Sequence, residues 1–167
     1  MSGGGVTPDI KRKWYGLALR HHRMASRLLR RGFADGAAFH AYHAFECTLS
    51  AHITASGYEV PPEGWTRLHT PSGKTIRAYP SPGGGIQDRS AHKARLVFFD
   101  QVADRTKPYF ATYSILSRFL TVDARNDALY YDAPSDLLPQ QRYPRAQVAG
   151  LLPLVRRFAR EMWREIR

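Results

Sequence analysis

The stretch AAFHAYHAFECTLSAHITASG, residues 37–57, is the most continuous apolar run in the chain and decides its fold. Large apolar side chains recur along it at helical spacing, which predicts one helix of about five turns. These side chains are Phe39, Tyr42, Phe45, Leu49 and Ile53. The other faces carry mainly alanine and serine, so we expect the helix to be buried on most sides.

One charged residue, Glu46, lies in the middle of this run. A buried carboxylate requires a cationic or hydrogen-bonding partner, since otherwise it becomes protonated. The sequence offers Arg125 as that partner, on the interpretation that the pair holds two helices together. At the helix ends, Asp35 is placed to act as the N-cap and Gly57 to form a left-handed C-cap.

The length of 167 residues indicates one domain with a genuine core, over residues 9–167, after a glycine-rich segment over 1–8 that we expect to be disordered. Cys47 is the only cysteine, so no intramolecular disulfide can form, as is typical of a reducing compartment. The N-terminus lacks an apolar leader, and no apolar run approaches roughly 18 residues. These features predict a cytoplasmic protein that does not enter a membrane.

The formal net charge of +11 is concentrated near the two chain ends. Residues 10–31 hold eight Lys or Arg and no acid, and residues 141–167 hold seven Arg and two Glu. A basic surface favours a polyanion or an acidic partner, although a merely solvated surface is the alternative. Two stripes are placed to follow a phosphate backbone. They comprise Arg20, Arg23, Arg27 and Arg30 in the first predicted helix and Arg156, Arg160 and Arg164 in the last.

Hydrophobic periodicity predicts an all-α fold, an up-down antiparallel bundle of four to five helices with a small β-hairpin around residues 66–79, in an insertion over 58–87. The predicted helices cover residues 9–31, 37–57, 89–104, 108–124 and 144–167. Gly32 should end the first helix, Gly73 should give the hairpin turn its positive φ, and Pro153 should kink or split the last helix. The predicted core stripe of the first helix is Trp14, Leu17, Ala18, His21, Met24, Ala25 and Leu28.

A short polar and aromatic segment, RNDALYYD, occupies residues 125–132. Arg125 supplies a planar fork for a phosphate or a carboxylate, and it keeps its charge. Together with Asn126, Tyr130 and Tyr131, it is expected to form a small anion-binding corner. This interpretation is compatible with a pair between Arg125 and Glu46.

The overall pattern resembles the HEPN superfamily (higher eukaryotes and prokaryotes nucleotide-binding). The resemblance rests on LLRRG, AAFHAYHAFECTLSA, AHKARLVFF and RNDALYYD, and it spans roughly residues 9–57 and 88–167. It implies a helical bundle that pairs as a homodimer. Many members are metal-independent ribonucleases of toxin–antitoxin or antiviral systems, and others are non-catalytic RNA- or nucleotide-binding modules. For this chain it implies a site centred on Arg125 that uses no metal or other cofactor.

The chain departs from the nuclease pattern of that superfamily, in which a histidine follows the arginine after four to six residues. Tyr130 or Tyr131 stands at that place, and no histidine follows His92. Attack by a ribose 2′-hydroxyl needs a general base whose pKa lies near the operating pH, and tyrosine, at about 10, does not supply one. Catalysis is therefore predicted to need a strongly perturbed tyrosine, or His92 or His43 brought in from another helix.

A second constellation is the H-x2-H-x3-C run formed by His40, His43 and Cys47. Zinc accepts these ligand types, but a fourth ligand is not evident. Glu46 follows His43 by three residues, so a hydrogen bond between the two explains the same residues without a metal. Structural histidines and a buried free thiol are the preferred interpretation.

Three functional hypotheses follow from these residues. The first is an RNA-acting enzyme in which Glu46 orients Arg125, and the second is a non-catalytic module that binds RNA, a nucleotide or a partner. The third is a different helical bundle whose arginine stripes meet an acidic surface, and it predicts that Glu46 and Arg125 are distant. The expected partners are a second copy of the chain, RNA or a nucleotide, and an antitoxin or other protein.

Overall fold

The structure, a computed structural model, describes residues 8–62, 64–78, 91–128 and 138–167. It confirms an all-α bundle with one small antiparallel sheet. No helix in the described part of the chain is long and apolar enough to cross a membrane. The elements are α1 Pro8–Arg30, α2 Ala34–Ala55, β1 Arg67–His69, β2 Thr75–Arg77, α3 Ala91–Val102, α4 Pro108–Phe119, α5 Val122–Asp127, α6 Pro139–Arg142 and α7 Arg145–Ile166.

A glycine with positive φ follows the C-terminal end of both α1 and α2, whereas the N-terminal end of α2 has no side-chain cap. Gly32 has a φ of 90° after α1, and Gly57 has a φ of 83° after α2, as predicted. The amide of Gly57 donates to the Thr54 carbonyl and the amide of Tyr58 donates to the Ile53 carbonyl, which satisfies two of the last carbonyls of α2. The predicted N-cap at Asp35 is wrong, because α2 begins at Ala34 and Asp35 lies in its first turn. There its carboxylate faces the positive end of the helix dipole instead.

Helix α1 runs antiparallel to both α2 and α7. Early residues of α1 meet late residues of α7, since Tyr15 stacks on Trp163 at 4.3 Å and His22 donates to the Leu152 carbonyl at 3.1 Å. Helix α7 is continuous across Pro153, so the proline does not split it. Pro8 belongs to α1, and the rest of the predicted disordered segment lies outside the described residues.

Helix α3 runs in the same direction as α2. Glu46 of α2 meets His92 at the start of α3, and His52, later in α2, lies 5.3 Å from the Phe99 ring, later in α3. A short connection between α2 and α3 would have forced an antiparallel pair. The intervening residues 58–87 are numerous enough to permit a parallel pair instead.

The hairpin within this insertion forms as predicted. Its register pairs Leu68 with Ile76, and Gly73 in the turn has a φ of 81°. An isolated hairpin is marginally stable, so it needs an anchor. Leu68 and Trp65 are buried and provide it.

The predicted helix over 108–124 is instead two helices, α4 and α5. The break falls at Leu120, which is buried, and at Thr121, which is extended. The Thr121 hydroxyl accepts a hydrogen bond from the Ala124 amide, so it acts as the N-cap of a new helix. The apolar periodicity of the segment did not reveal this capping signal.

The centre of the core is a set of aromatic rings contributed by four helices. Phe45 of α2 lies 5.4 Å from Phe158 of α7, and Phe99 of α3 lies 4.5 Å from Tyr113 of α4. The Tyr113 hydroxyl donates to Asp100 at 2.9 Å, which satisfies its polar end. Helices α2, α3, α4 and α7 are thereby held around one core.

Two residues of the predicted core stripe of α1 lie at the surface. Leu17 and Met24 are exposed, whereas Ala18 and Ala25 are buried. The helix presents its small residues to the core, which permits close packing against α2. Hydrophobic periodicity correctly predicts the helix, but it assigns too many of its residues to the buried face.

We predict opposite effects for two glycine-to-alanine substitutions. Gly57→Ala should lower the free energy of unfolding by about 1–2 kcal/mol, because φ is positive and the new Cβ would lie 3.0 Å from Pro71. Gly150→Ala in α7, where a Cβ meets nothing within 4 Å, should raise it by about 0.5–1 kcal/mol. Urea unfolding measures both, and shifts of the same sign would contradict the assigned backbone conformations.

Candidate functional site

A buried ionic cluster surrounds Glu46, which is 4% exposed. Its carboxylate accepts hydrogen bonds from His43 Nδ1 at 3.2 Å, from His92 Nδ1 and from Arg95 Nη1. The cationic partner is therefore Arg95 of α3, and Arg125 is not among the partners of Glu46 in the described part of the chain. The expectation that Glu46 orients Arg125 directly is wrong, since α3 rather than α5 lies against this part of α2.

The guanidinium of Arg95 is held between two tryptophan rings. Its central carbon lies 4.7 Å from the ring centre of Trp65 and 5.7 Å from that of Trp14, and the two rings meet edge to face. Each ring face attracts the cation, and attraction of this kind strengthens when water is excluded. Arg95 thus joins α1, the segment before β1, α2 and α3.

Glu46 is ionised at neutral pH. Burial alone would raise its pKa, but hydrogen bonds from His43 and His92 and the charge of Arg95 outweigh burial and hold the pKa well below its ordinary value of 4.5. The stabilisation that results is fully present above that ordinary value and is lost as the pH falls through the folded-state pKa.

The ionised carboxylate orients two imidazoles. Because a carboxylate only accepts hydrogen bonds, His43 and His92 must each donate their Nδ1–H to it. In the neutral ring this leaves Nε2 as the proton acceptor. A carboxylate that fixes the tautomer of a histidine is the arrangement by which many enzymes prepare a general base. His92 is the more exposed of the two, at 29% against 16% for His43.

Two further histidines extend the cluster to α1. His21 Nδ1 and His40 Nδ1 are 2.9 Å apart, so one ring donates and the other accepts, and the His21 ring lies 5.3 Å from that of His43. Burial, helped by the neighbouring histidines, lowers the pKa of His21 to about 4, and burial also lowers the pKa of His40. Both rings are therefore neutral at pH 7.

The predicted anion-binding corner lies beside this cluster. Arg125 donates to the Asn126 side-chain oxygen at 2.8 Å, and its guanidinium lies 5.6 Å from the Phe39 ring. The Phe39 ring in turn lies 4.4 Å from the His43 ring. The structure thus links Arg125 to the histidines through one aromatic ring. The other two predicted members, Tyr130 and Tyr131, lie outside the described residues.

The H-x2-H-x3-C run does not assemble into a metal site. Across the residues that the structure describes, no group of three His, Cys, Asp or Glu side chains is arranged to hold a metal ion. Cys47 is buried, and burial raises the pKa of its thiol to about 12. At neutral pH this thiol is protonated and a poor nucleophile.

A second feature, the arginine groove, runs between α1 and α7. It consists of two adjoining clefts of about 640 and 500 Å³ that share His22, Ser26, Arg156 and Arg160. Leu29, Leu152 and Pro153 give it an apolar floor. Six of the seven predicted nucleic-acid-binding arginines line it, namely Arg23, Arg27, Arg30, Arg156, Arg160 and Arg164. Arg20 is exposed but is not among the lining residues.

The charge of the arginine groove is not neutralised from within. Its one lining acid, Glu161, binds Arg157 at 2.7 Å and accepts from the Thr112 hydroxyl at 3.0 Å. Within the described ranges, none of the six arginines above has an ion pair or side-chain hydrogen bond. Unpaired cations facing one cleft are attractive to an anion.

The cluster and the groove lie on different sides of α1. Adjacent residues of a helix point about 100° apart, and here His21 joins the cluster whereas His22 lines the groove. The His22 imidazole is engaged with the Leu152 carbonyl, next to Pro153. The protein therefore offers two separate sites rather than one.

Sequence reasoning missed Arg95, the cation on which the cluster depends. A signal was present, since His92 and Arg95 are three residues apart and so share one helix face toward a carboxylate. It also missed His22 and Ser26 in the groove, because neither has a distinctive sequence neighbour.

Comparison with known proteins identifies no family and no relative for the chain. No protein-family model, no curated protein and no solved structure matches it. The cluster and the groove are therefore the features from which a function is inferred.

We predict that breaking the buried pair costs far more than breaking a surface pair. Arg95→Met should lower the free energy of unfolding by about 3–5 kcal/mol, because it leaves Glu46 buried without its cation. The control is Lys107→Met, since Lys107 pairs with Glu165 at 3.0 Å on the solvent-exposed surface, and it should cost far less.

The double variant Glu46→Gln with Arg95→Met distinguishes the loss of the ion pair from the loss of side-chain packing. Removing both charges should recover part of the loss in the chemical denaturation midpoint. A double variant that is less stable than Arg95→Met alone would contradict the assigned pairing.

Proposed function

We propose that this protein binds single-stranded RNA in the arginine groove between α1 and α7. The observation that carries the proposal is the convergence of two arginine stripes, distant in sequence, on one cleft without internal neutralisation. Guanidinium groups bind phosphate oxygens through paired hydrogen bonds and keep their charge at any physiological pH. Successive groove arginines on α7, Arg156, Arg160 and Arg164, are separated by about 6 Å along the helix axis.

The remaining lining suits the other parts of a nucleotide. Tyr15 lines the groove and is stacked on Trp163, and aromatic side chains of this kind stack on nucleobases. The apolar floor at Leu152 and Pro153 can contact a sugar or a base. A duplex presents mainly its phosphate rim to such a cleft, whereas a single strand can use every part of it. The resemblance to the HEPN superfamily supports RNA rather than DNA as the ligand.

We predict a reduced salt dependence of RNA binding when groove arginines are removed. Each phosphate contact to a single strand contributes about −0.7 to the slope of log K against log salt. Arg156→Ala with Arg160→Ala should therefore weaken binding of a fluorescent 12-nucleotide RNA and make the slope shallower by about 1.4. Fluorescence anisotropy at several salt concentrations measures both quantities.

The control for this experiment is Arg118→Ala, which removes one exposed positive charge from α4. It should leave affinity and slope nearly unchanged. If it weakens binding as much per charge as the groove variant, the attraction is a general effect of net charge and the groove proposal fails. Competition by a mononucleotide at equal concentration would instead indicate that the groove is a nucleotide site.

A second candidate function, metal-independent RNA cleavage, is favoured by the Glu46–His92 arrangement. His92 Nε2 would take the proton of a ribose 2′-hydroxyl, whose oxygen attacks the adjacent phosphorus while the bond to the 5′-oxygen breaks. The departing 5′-oxygen takes a proton from solvent water, and the products are a 2′,3′-cyclic phosphate and a 5′-hydroxyl. Arg125, beside the cluster, would offset the charge that develops on the phosphoryl oxygens. This assigns His92 the base role that a tyrosine cannot fill at neutral pH.

We predict that any cleavage persists in EDTA and is lost in His92→Asn. Asparagine can still donate a hydrogen bond to Glu46 but cannot accept the proton, so the rate should fall by about 10²–10⁴. Arg125→Ala should also slow cleavage, while RNA binding by both variants stays intact. Cleavage that His92→Asn does not change would exclude His92 as the base, and no cleavage by the native protein would leave RNA binding alone.

A further inference from the structure

Helix α1 carries an apolar seam, defined here as Ile10, Leu17 and Met24, that no other described part of the chain buries. These side chains are 40%, 40% and 37% exposed, whereas most large apolar residues in the described part of the chain are buried or half-buried. None of the three seam residues lines either cleft of the groove. Exposed large apolar side chains that share one helix face offer a contact line to a partner.

The spacing of the seam suits a helix as the occupant. Its residues are seven apart, which places them about 10.5 Å from one another along one side of α1. Helices that pack in coiled-coil fashion repeat every seven residues, and the seam residues occupy one position of that repeat. The seam is only one residue wide, so it matches the contact line of a helix better than a broad apolar face.

The basic side chains beside the seam indicate which charge a helix that binds there would carry. Leu17 and Met24 are each followed three positions later by an exposed arginine, Arg20 and Arg27, and Arg27 also lines the groove. Residues 10–31 contain no acid. An occupant with acidic side chains flanking its apolar line would pair with this basic row and gain specificity as well as faster association.

The same charges disfavour two other occupants. A second copy of α1 would place its own basic row against this one, and like charges across an interface are costly. A membrane would need a wider apolar face, because interfacial helices bury a broad stripe in the acyl boundary. We propose that the seam docks an acidic amphipathic helix of a partner protein.

The test uses a fluorescent 24-residue helical peptide with leucine at heptad positions a and d and glutamate at the flanking positions. A control peptide carries lysine in place of each glutamate. Fluorescence anisotropy should show that the native protein binds the glutamate peptide and not the lysine peptide. The variant Leu17→Ser with Met24→Ser should bind at least about tenfold more weakly.

Two further variants keep the test decisive. Ile115→Ser removes an equally exposed apolar side chain from α4, at 45%, and should leave peptide affinity unchanged. Arg20→Glu should weaken the glutamate peptide and improve the lysine peptide, because it reverses one charge of the basic row. Thermal unfolding of each variant confirms that these surface changes leave the fold intact.

Several outcomes would overturn the proposal. One is that the native protein fails to bind the glutamate peptide, and another is that it binds both peptides equally. A third is that Ile115→Ser weakens peptide binding as much as the double serine variant does. A dimer in light scattering that the double serine variant dissociates would assign the seam to a second copy. Binding to anionic vesicles that the same variant abolishes would assign it to a membrane surface.

Discussion

A buried negative charge at the centre of α2 is the constraint on which the rest of this structure depends. Glu46 would be protonated or strongly destabilising without compensation, and its compensation comes from α3 through His92 and Arg95. Arg95 is itself confined by Trp14 and Trp65, so the same pair draws α1 and the hairpin into position. This network accounts for why α3 lies alongside α2 and why Trp65, just before the hairpin, packs on the bundle.

Helix α1 presents three sides that differ in chemical character. One side supplies His21 to the histidine cluster, a second side supplies arginines to the groove with α7, and a third presents the apolar seam. The groove arginines repel one another in the free protein, and this repulsion is relieved when a polyanion binds. Folding thus accepts an electrostatic cost that the proposed ligand would offset.

The sequence predicted the elements of this fold better than their arrangement. Helical periodicity, and glycines with positive φ at positions 32, 57 and 73, located the helices and the hairpin turn, because these signals are local. The partner of Glu46 was misassigned because it depends on how α3 lies against α2, which no local sequence pattern records. The sequence predicted the two arginine stripes that line the groove. It did not predict that they converge, because their convergence results from the antiparallel packing of α1 on α7. Leu17 and Met24 were misplaced because an apolar side chain at helical spacing does not reveal whether a neighbour covers it.

The most direct test of the central claim is arginine footprinting with phenylglyoxal, read by mass spectrometry, with and without single-stranded RNA. The proposed function predicts that RNA protects the groove arginines Arg23, Arg27, Arg156 and Arg160, and leaves Arg77 of the hairpin and Arg118 of α4 as reactive as in the free protein. Uniform protection of all arginines would mean that RNA binds through net charge alone. Protection confined to Arg118 or Arg77, or none at all, would contradict the groove between α1 and α7 as the RNA-binding site.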